Sequence, residues 1–164
     1  MNINDYLLVQ EDIDWANTLG AWHWLLPEEL TVWFANLFGD VFVILEDGSV
    51  SMLDIGAGSF ERLADSRDQF CELLETPENA NIWLMIPLVD SLIASGKSLK
   101  RGTCYSFVRS PVLGGDYSVE NSMIIPIAEH YGLNAELHHQ IKDLPDGTAV
   151  RINFTDDESR RSED

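Results

Sequence analysis

Three histidines late in the chain, His130, His138 and His139, two cysteines, Cys71 and Cys104, and two glycine-rich stretches are the residues whose types could do chemistry. Imidazoles and thiols can hold a metal, but only when several converge. Neighbouring histidines on a helix point about 100° apart, there is no HExxH, and the cysteines form neither a CxxC nor a cluster. No metal and no cofactor is therefore expected. The stretch "GAGSFE" at 56–61 begins like a dinucleotide fingerprint and fails at Glu61, where the third glycine belongs, and no P-loop lysine follows. "LGGDYSVEN" at 113–121 likewise lacks the lysine or helix start that completes an anion site, so Gly114 and Gly115 read as loop-shaping residues that permit positive φ and close backbone approach. No GxSxG occurs, and neither cysteine has a nucleophile motif around it. Carboxylate pairs are so numerous that none singles itself out as an acid–base couple.

Charge says more than any motif. The 164 residues carry 28 acidic and 10 basic side chains, a formal net charge of −18, with no lysine or arginine before Arg62. Such a surface repels nucleic acid and anionic membrane and attracts a basic partner. The first residues lack a basic stretch and an apolar run, so no secretory signal is read there, and no segment reaches membrane-spanning length. With two cysteines read as buried free thiols, the expected location is the cytoplasm.

The elements that must position these residues are legible in part. Pro27-Glu28-Glu29 suits a first helical turn, and Leu30, Trp33, Phe34 and Leu37 follow at i, i+3, i+4 and i+7, predicting a helix that ends at Phe38-Gly39. Trp15, Trp22, Trp24 and Trp33 read as core. "DVFVILEDGSVSMLDIG" predicts a hairpin turning at Asp47-Gly48, with "FERLADS" as a further strand. Ser66 caps a helix to about Glu75, with Asp68 in the capping-box position relative to Asp65. A second helix spans about 79–95, kinked or divided at Pro87. "TCYSFVRSP" and "SMIIPIAEHYG" read as strands, the latter running into a turn. "NAELHHQIKDL" reads as a helix with Leu137, Ile141 and Leu144 inward, and "PDGTAVRINF" as a final strand. The fold class expected is α+β, a mixed, mainly antiparallel sheet with flanking helices, in one compact domain over 1–154. Residues 155–164 read as a disordered acidic tail.

Several phrases together, "WHWLLPEEL", "NLFGDVFVILEDGSVSMLDIGAGSFERLADS", "CYSFVRSPVLGGDYSVEN" and "HHQIKDLPDGTAVRI", resemble the C-terminal domain of type VI secretion immunity proteins of the Tdi type over roughly residues 20–154. That family occurs with GAD-like domains and as single-domain proteins. The resemblance implies a bacterial cytoplasmic antitoxin, not an enzyme, that binds a cognate effector toxin with a basic surface, typically a nuclease, and blocks it. On that reading Asp116, Tyr117 and Glu120 in the Gly-Gly loop, with Asp47 and Asp54 near the hairpin, are the candidate partner-binding residues. Tyr117 would serve as an aromatic anchor and the acids as partners for basic groups. The competing expectations are a small-ligand or hydrolytic enzyme using the Gly-rich loops with His23 or His139, or a regulatory adaptor whose partner is not a toxin. For each acid the simpler reading is a solvated surface charge, and for Tyr117 a residue packed at the edge of the core. The sequence leaves the oligomeric state open.

Overall fold

The computed structural model describes residues 2–144. Their core is a four-stranded antiparallel meander, β1 (Leu30–Ala35), β2 (Val41–Leu45), β3 (Val50–Asp54) and β4 (Ser59–Ala64), paired in chain order. A separate antiparallel pair joins β5 (Thr103–Phe107) to β6 (Ser122–Pro126). Helices α1 (Trp15–Thr18), α2 (Arg67–Leu74), α3 (Pro77–Trp83), α4 (Ile86–Ala94) and α5 (Ile127–Ile141) complete the α+β architecture.

The uninterrupted apolar run of β2 follows from burial on both of its faces, since Val41, Phe42 and Val43 are all fully enclosed. Val41, Val43 and Leu53 point to the side covered by Trp22 and by Tyr131 and Ala135 of α5. Phe42 and Val50 point to the opposite side, where Phe70 of α2 and Leu84 complete the cluster. A third cluster, built on Phe38, Val89, Leu92 and Tyr105, ties α4 to the β5–β6 pair, and Tyr105 N–H donates to the Leu37 carbonyl at 2.8 Å.

The Asp47-Gly48 hairpin forms as expected. Gly48 N–H donates to the Leu45 carbonyl and Gly48 sits at φ +84°, the left-handed position that closes a three-residue loop. Trp15, Trp22, Trp24 and Trp33 are core residues or pack against it, and Trp22, fully buried, donates its indole N–H to the Tyr131 carbonyl at 3.1 Å. Pro87 divides the second predicted helix: α3 ends at Trp83 and α4 restarts at Ile86, with the break taken up by Met85 at φ 53°.

Elsewhere the structure corrects the sequence reading. Residues 30–35 are a strand, not a helix. Thr31, Val32, Trp33 and Phe34 are β-branched or aromatic, and pairing with β2 outweighs the helical spacing. A bulge between Val32 and Phe34 sends Leu30 and Val32 to one side of the sheet but both Trp33 and Phe34 to the other, which broke the two-residue alternation and imitated a helical stripe. Ser66 does cap α2 by accepting from Gln69 N–H, but the reciprocal side chain is Gln69, which accepts from Asp65 N–H, and not Asp68. "IAEHYG" forms no turn; α5 begins at Ile127 and runs through Gly132, since Gly132 lies within continuous helical pairing. Leu144 lies past the helix end and is exposed, and Cys71 is exposed while Cys104 is buried. The predicted strand at 145–154 and the tail at 155–164 lie outside the described residues.

Candidate partner-binding groove

A groove of about 590 Å³ opens where the α3–α4 junction, the ends of β2 and β3, and the loop between β5 and β6 meet. Its floor is built by a turn at residues 36–40. Asn36 organises that turn: its side-chain oxygen accepts from Phe38 N–H and Asp40 N–H, each at 3.0 Å, and its amide donates to the Trp83 carbonyl and to Asp40 Oδ2, each at 2.9 Å. Gly39 adopts φ +84°, and a Cβ there would lie 2.8 Å from the His130 ring. The histidine is thus seated on the one residue type that leaves room for it.

His130 is a structural clamp. Its Nε2 lies 2.7 Å from the Phe38 carbonyl, which can only accept, so Nε2 carries the proton and Nδ1 accepts from the Ser106 hydroxyl at 3.0 Å. Burial holds its pKa down at about 4, against the favourable contact with Phe38. Tyr131 beside it donates its hydroxyl to the Gly39 carbonyl at 2.6 Å. Two turns on, buried His138 pairs Nε2 with the Ile55 carbonyl at 2.8 Å, and its ring fills the space that a side chain at Gly58 would need. The "FGD" and "GAG" phrases are therefore the two seats on which α5 docks. Both nitrogens of His130 are occupied by structural partners, which leaves it no free base for catalysis.

Asp40 is the unusual group. It is only 7% exposed, and its carboxyl oxygens accept from Ile55 N–H and the Asn36 amide, each at 2.9 Å. Those bonds favour the anion, but burial first, and the nearby Asp54 second, push its pKa up to about 8. Desolvation wins because the two neutral donors cannot replace a full hydration shell. Asp54, half-buried at the end of β3, accepts from Ala57 N–H at 3.0 Å and also lines the groove. Among the described residues, no lysine or arginine does so.

Tyr117 forms the wall. It is 55% exposed and packs edge-on against Phe107 at 5.1 Å between ring centroids. Partial burial, then Asp54 and Asp40, raise the pKa of its hydroxyl. The loop carrying it is stapled by Asn121, whose side-chain oxygen accepts from Arg109 N–H at 2.9 Å and whose amide donates to the Arg109 and Asp116 carbonyls at 2.9 and 2.8 Å. Lys97 ties down the far end through the Val119 and Ser122 carbonyls. Gly114, at φ +92°, ends a 3-10 turn over Pro111–Leu113, and a Cβ on Gly115 would overlap the Arg109 carbonyl.

The structure thus brings Asp54 and Tyr117 together in one groove and leaves the other three candidates outside its lining. Asp116 and Glu120 are exposed on the same loop as Tyr117. Asp47 sits in the β2–β3 turn, where it accepts from Ser49 N–H at 3.0 Å and from the Ser49 hydroxyl at 2.6 Å, and pairs with Arg62 at 3.2 Å. The Ser49 bonds foremost, with help from Arg62, hold its carboxyl below the usual range. Sequence reading missed Asp40 as a groove residue. Its signal was the Asn-x-x-Gly-Asp order, in which an asparagine folds the turn back on itself and glycine supplies the left-handed step. Nothing in the chain near Phe107 and Ile82 announces that they border the same groove. Among the described residues, no three histidine, cysteine or carboxylate side chains are grouped to hold a metal ion, and no helix is long and apolar enough to cross a membrane.

A comparison with curated proteins finds no match. The segment that builds α2, α3 and α4, β5 and β6, the Gly-Gly loop and α5 as far as His138 does find a family: residues 64–138 match the model described as T6SS immunity protein Tdi1, C-terminal, and over that segment the resemblance read from the sequence is borne out.

Proposed function

We propose that this is a non-catalytic immunity protein, acting in the cytoplasm, that binds a cognate type VI secretion effector and neutralises it by covering a basic, nucleic-acid-binding site. The family match carries this reading. The net charge of −18 supports it, because a carboxylate-rich surface competes with phosphate for the cationic groups a nuclease uses to hold its substrate. The groove offers the mixture that protein interfaces favour: an exposed aromatic anchor in Tyr117, an apolar neighbour in Ile82 at 69% exposure, and carboxyl groups at Asp54 and Asp40. Asp116 and Glu120 extend the negative field along the same loop and serve encounter more than affinity. Asp47, already engaged by Ser49 and Arg62 and outside the groove lining, contributes charge to the field. A hydrolytic reading finds less support, since His130, the histidine in the groove, is locked neutral between structural partners.

Co-expression tests the function. Cells carrying the effector's toxic domain are expected to survive when this protein is present, and the two chains to co-purify. Death of the cells despite soluble expression, with no complex recovered, would refute it.

A further inference from the structure

On the reading just given, we propose that the groove beneath Tyr117 captures one arginine side chain of the effector, its guanidinium stacked against Tyr117 and Phe107 and paired with the carboxyl groups of Asp54 and Asp40.

Charge complementarity identifies the occupant. Two carboxyl groups line the groove, and among the described residues the groups facing Asp40 from the surrounding elements carry no positive charge to balance them. Asp54 approaches from the end of β3, His130 and Tyr131 from α5, Cys104 from β5, and Tyr117 from the β5–β6 loop. His130 is neutral above about pH 4, and Cys104 and Tyr131 are held protonated by burial first and by their acidic neighbours second. A cation on the effector supplies the counter-charge that the described residues do not.

The walls select the kind of cation. An ammonium is compact and strongly hydrated, whereas a guanidinium is planar, sheds water more readily and stacks on aromatic faces. Tyr117 and Phe107 present aromatic surface beside the carboxyl groups, and Met85 and Leu88 from the α3–α4 side give an apolar flank for the methylene stem. At about 590 Å³ the groove has room for a side chain of this length.

The arrangement also predicts a linked proton. Without a partner, burial and Asp54 keep Asp40 protonated through neutral pH. A guanidinium beside it reverses that balance, because an adjacent opposite charge favours the ionised carboxylate. Docking then expels a proton from Asp40 to solvent, and binding tightens as pH rises toward 8, by at most about tenfold per pH unit for one proton released.

The test uses the purified complex with the effector's toxic domain, its activity disabled by substitution. Affinity is measured by titration calorimetry at pH 6.5 and pH 8, in two buffers of different ionisation enthalpy so that proton release is counted. Wild type is expected to release a proton at pH 7 and to bind more tightly at pH 8. Tyr117→Ala and Asp54→Asn should each weaken binding about thirtyfold, the loss typical of an interface anchor. Replacing the captured effector arginine by methionine should cost as much, and should add little to the loss in Asp54→Asn. Replacing it by lysine should recover only part. Circular dichroism of each variant guards against unfolding, and Tyr117→Ala, at an exposed position, keeps the test decisive if Asp54→Asn disturbs the packing around Asp40. A complex of unchanged affinity in Tyr117→Ala and Asp54→Asn, without proton release, would overturn the arginine groove while leaving the immunity function standing. Absence of any complex with wild type would instead overturn the immunity function itself.

Discussion

The stability of this protein should fall as pH rises from 6.5 to 8, and Asp40 is the reason. Its carboxyl keeps a proton in the folded chain up to about pH 8, whereas an ordinary aspartate releases it near 3.8. Throughout that interval the folded state binds one proton more than the unfolded state, so each pH unit removes about 1.4 kcal/mol of stability. His130 works in the opposite sense. It stays neutral in the fold down to about pH 4 but takes up a proton near 6.5 when the chain unfolds. Between about pH 4 and 6.5 these two slopes cancel, and His138, also held below its ordinary value by burial, adds a loss of stability as pH falls below 6.5. Above 6.5 the histidines of the unfolded chain lose their remaining protons and Asp40 dominates, which leaves a decline of roughly 1 kcal/mol by pH 8. The maximum should therefore lie near pH 6.5. Urea unfolding followed by tryptophan fluorescence, with Trp22 at the centre of the core, measures the profile at closely spaced pH values. Asp54→Asn removes the charge that helps raise Asp40, and should shrink the decline so that the variant outlasts wild type at pH 8. A flat or rising profile between pH 6.5 and 8 would refute the retained proton, and an unchanged slope in Asp54→Asn would refute the coupling.

Three further outcomes are expected. Reversing charge with Asp116→Lys and Glu120→Lys should slow association with the effector and reduce its dependence on salt, as read by stopped-flow mixing at two ionic strengths; unchanged rates would remove this loop from the encounter surface. Gly115→Ala forces a Cβ against the Arg109 carbonyl, and should cost about 2–4 kcal/mol in chemical denaturation or displace the loop enough to weaken partner binding. Cys71 should react with a thiol reagent within minutes, and Cys104 only as fast as the protein opens, because burial foremost and Asp40 next push its thiol up to about 12; two equally fast thiols would contradict the packing around β5.

How far the sequence speaks depends on how local the cause is. The Asp47-Gly48 hairpin, the Ser66 cap and the division at Pro87 each arise from one residue acting on its own backbone, through a left-handed glycine, a side-chain acceptor or a missing N–H. All three were legible. The strand at 30–35 was not, because its bulge at Trp33 serves the two faces of a sheet that no local pattern reveals. The acidic charge and the family likeness were likewise in the sequence itself. What only tertiary structure decided was proximity. Asp40 and Asp54 face each other through the β2–β3 register that pairs Val41 with Leu53, Tyr117 joins them from a distant loop, and α5 packs through His130 on the turn that carries Asp40. The buried proton on Asp40 is a product of that meeting, since desolvation depends on which groups surround a carboxyl in space and not on the residues beside it in the chain.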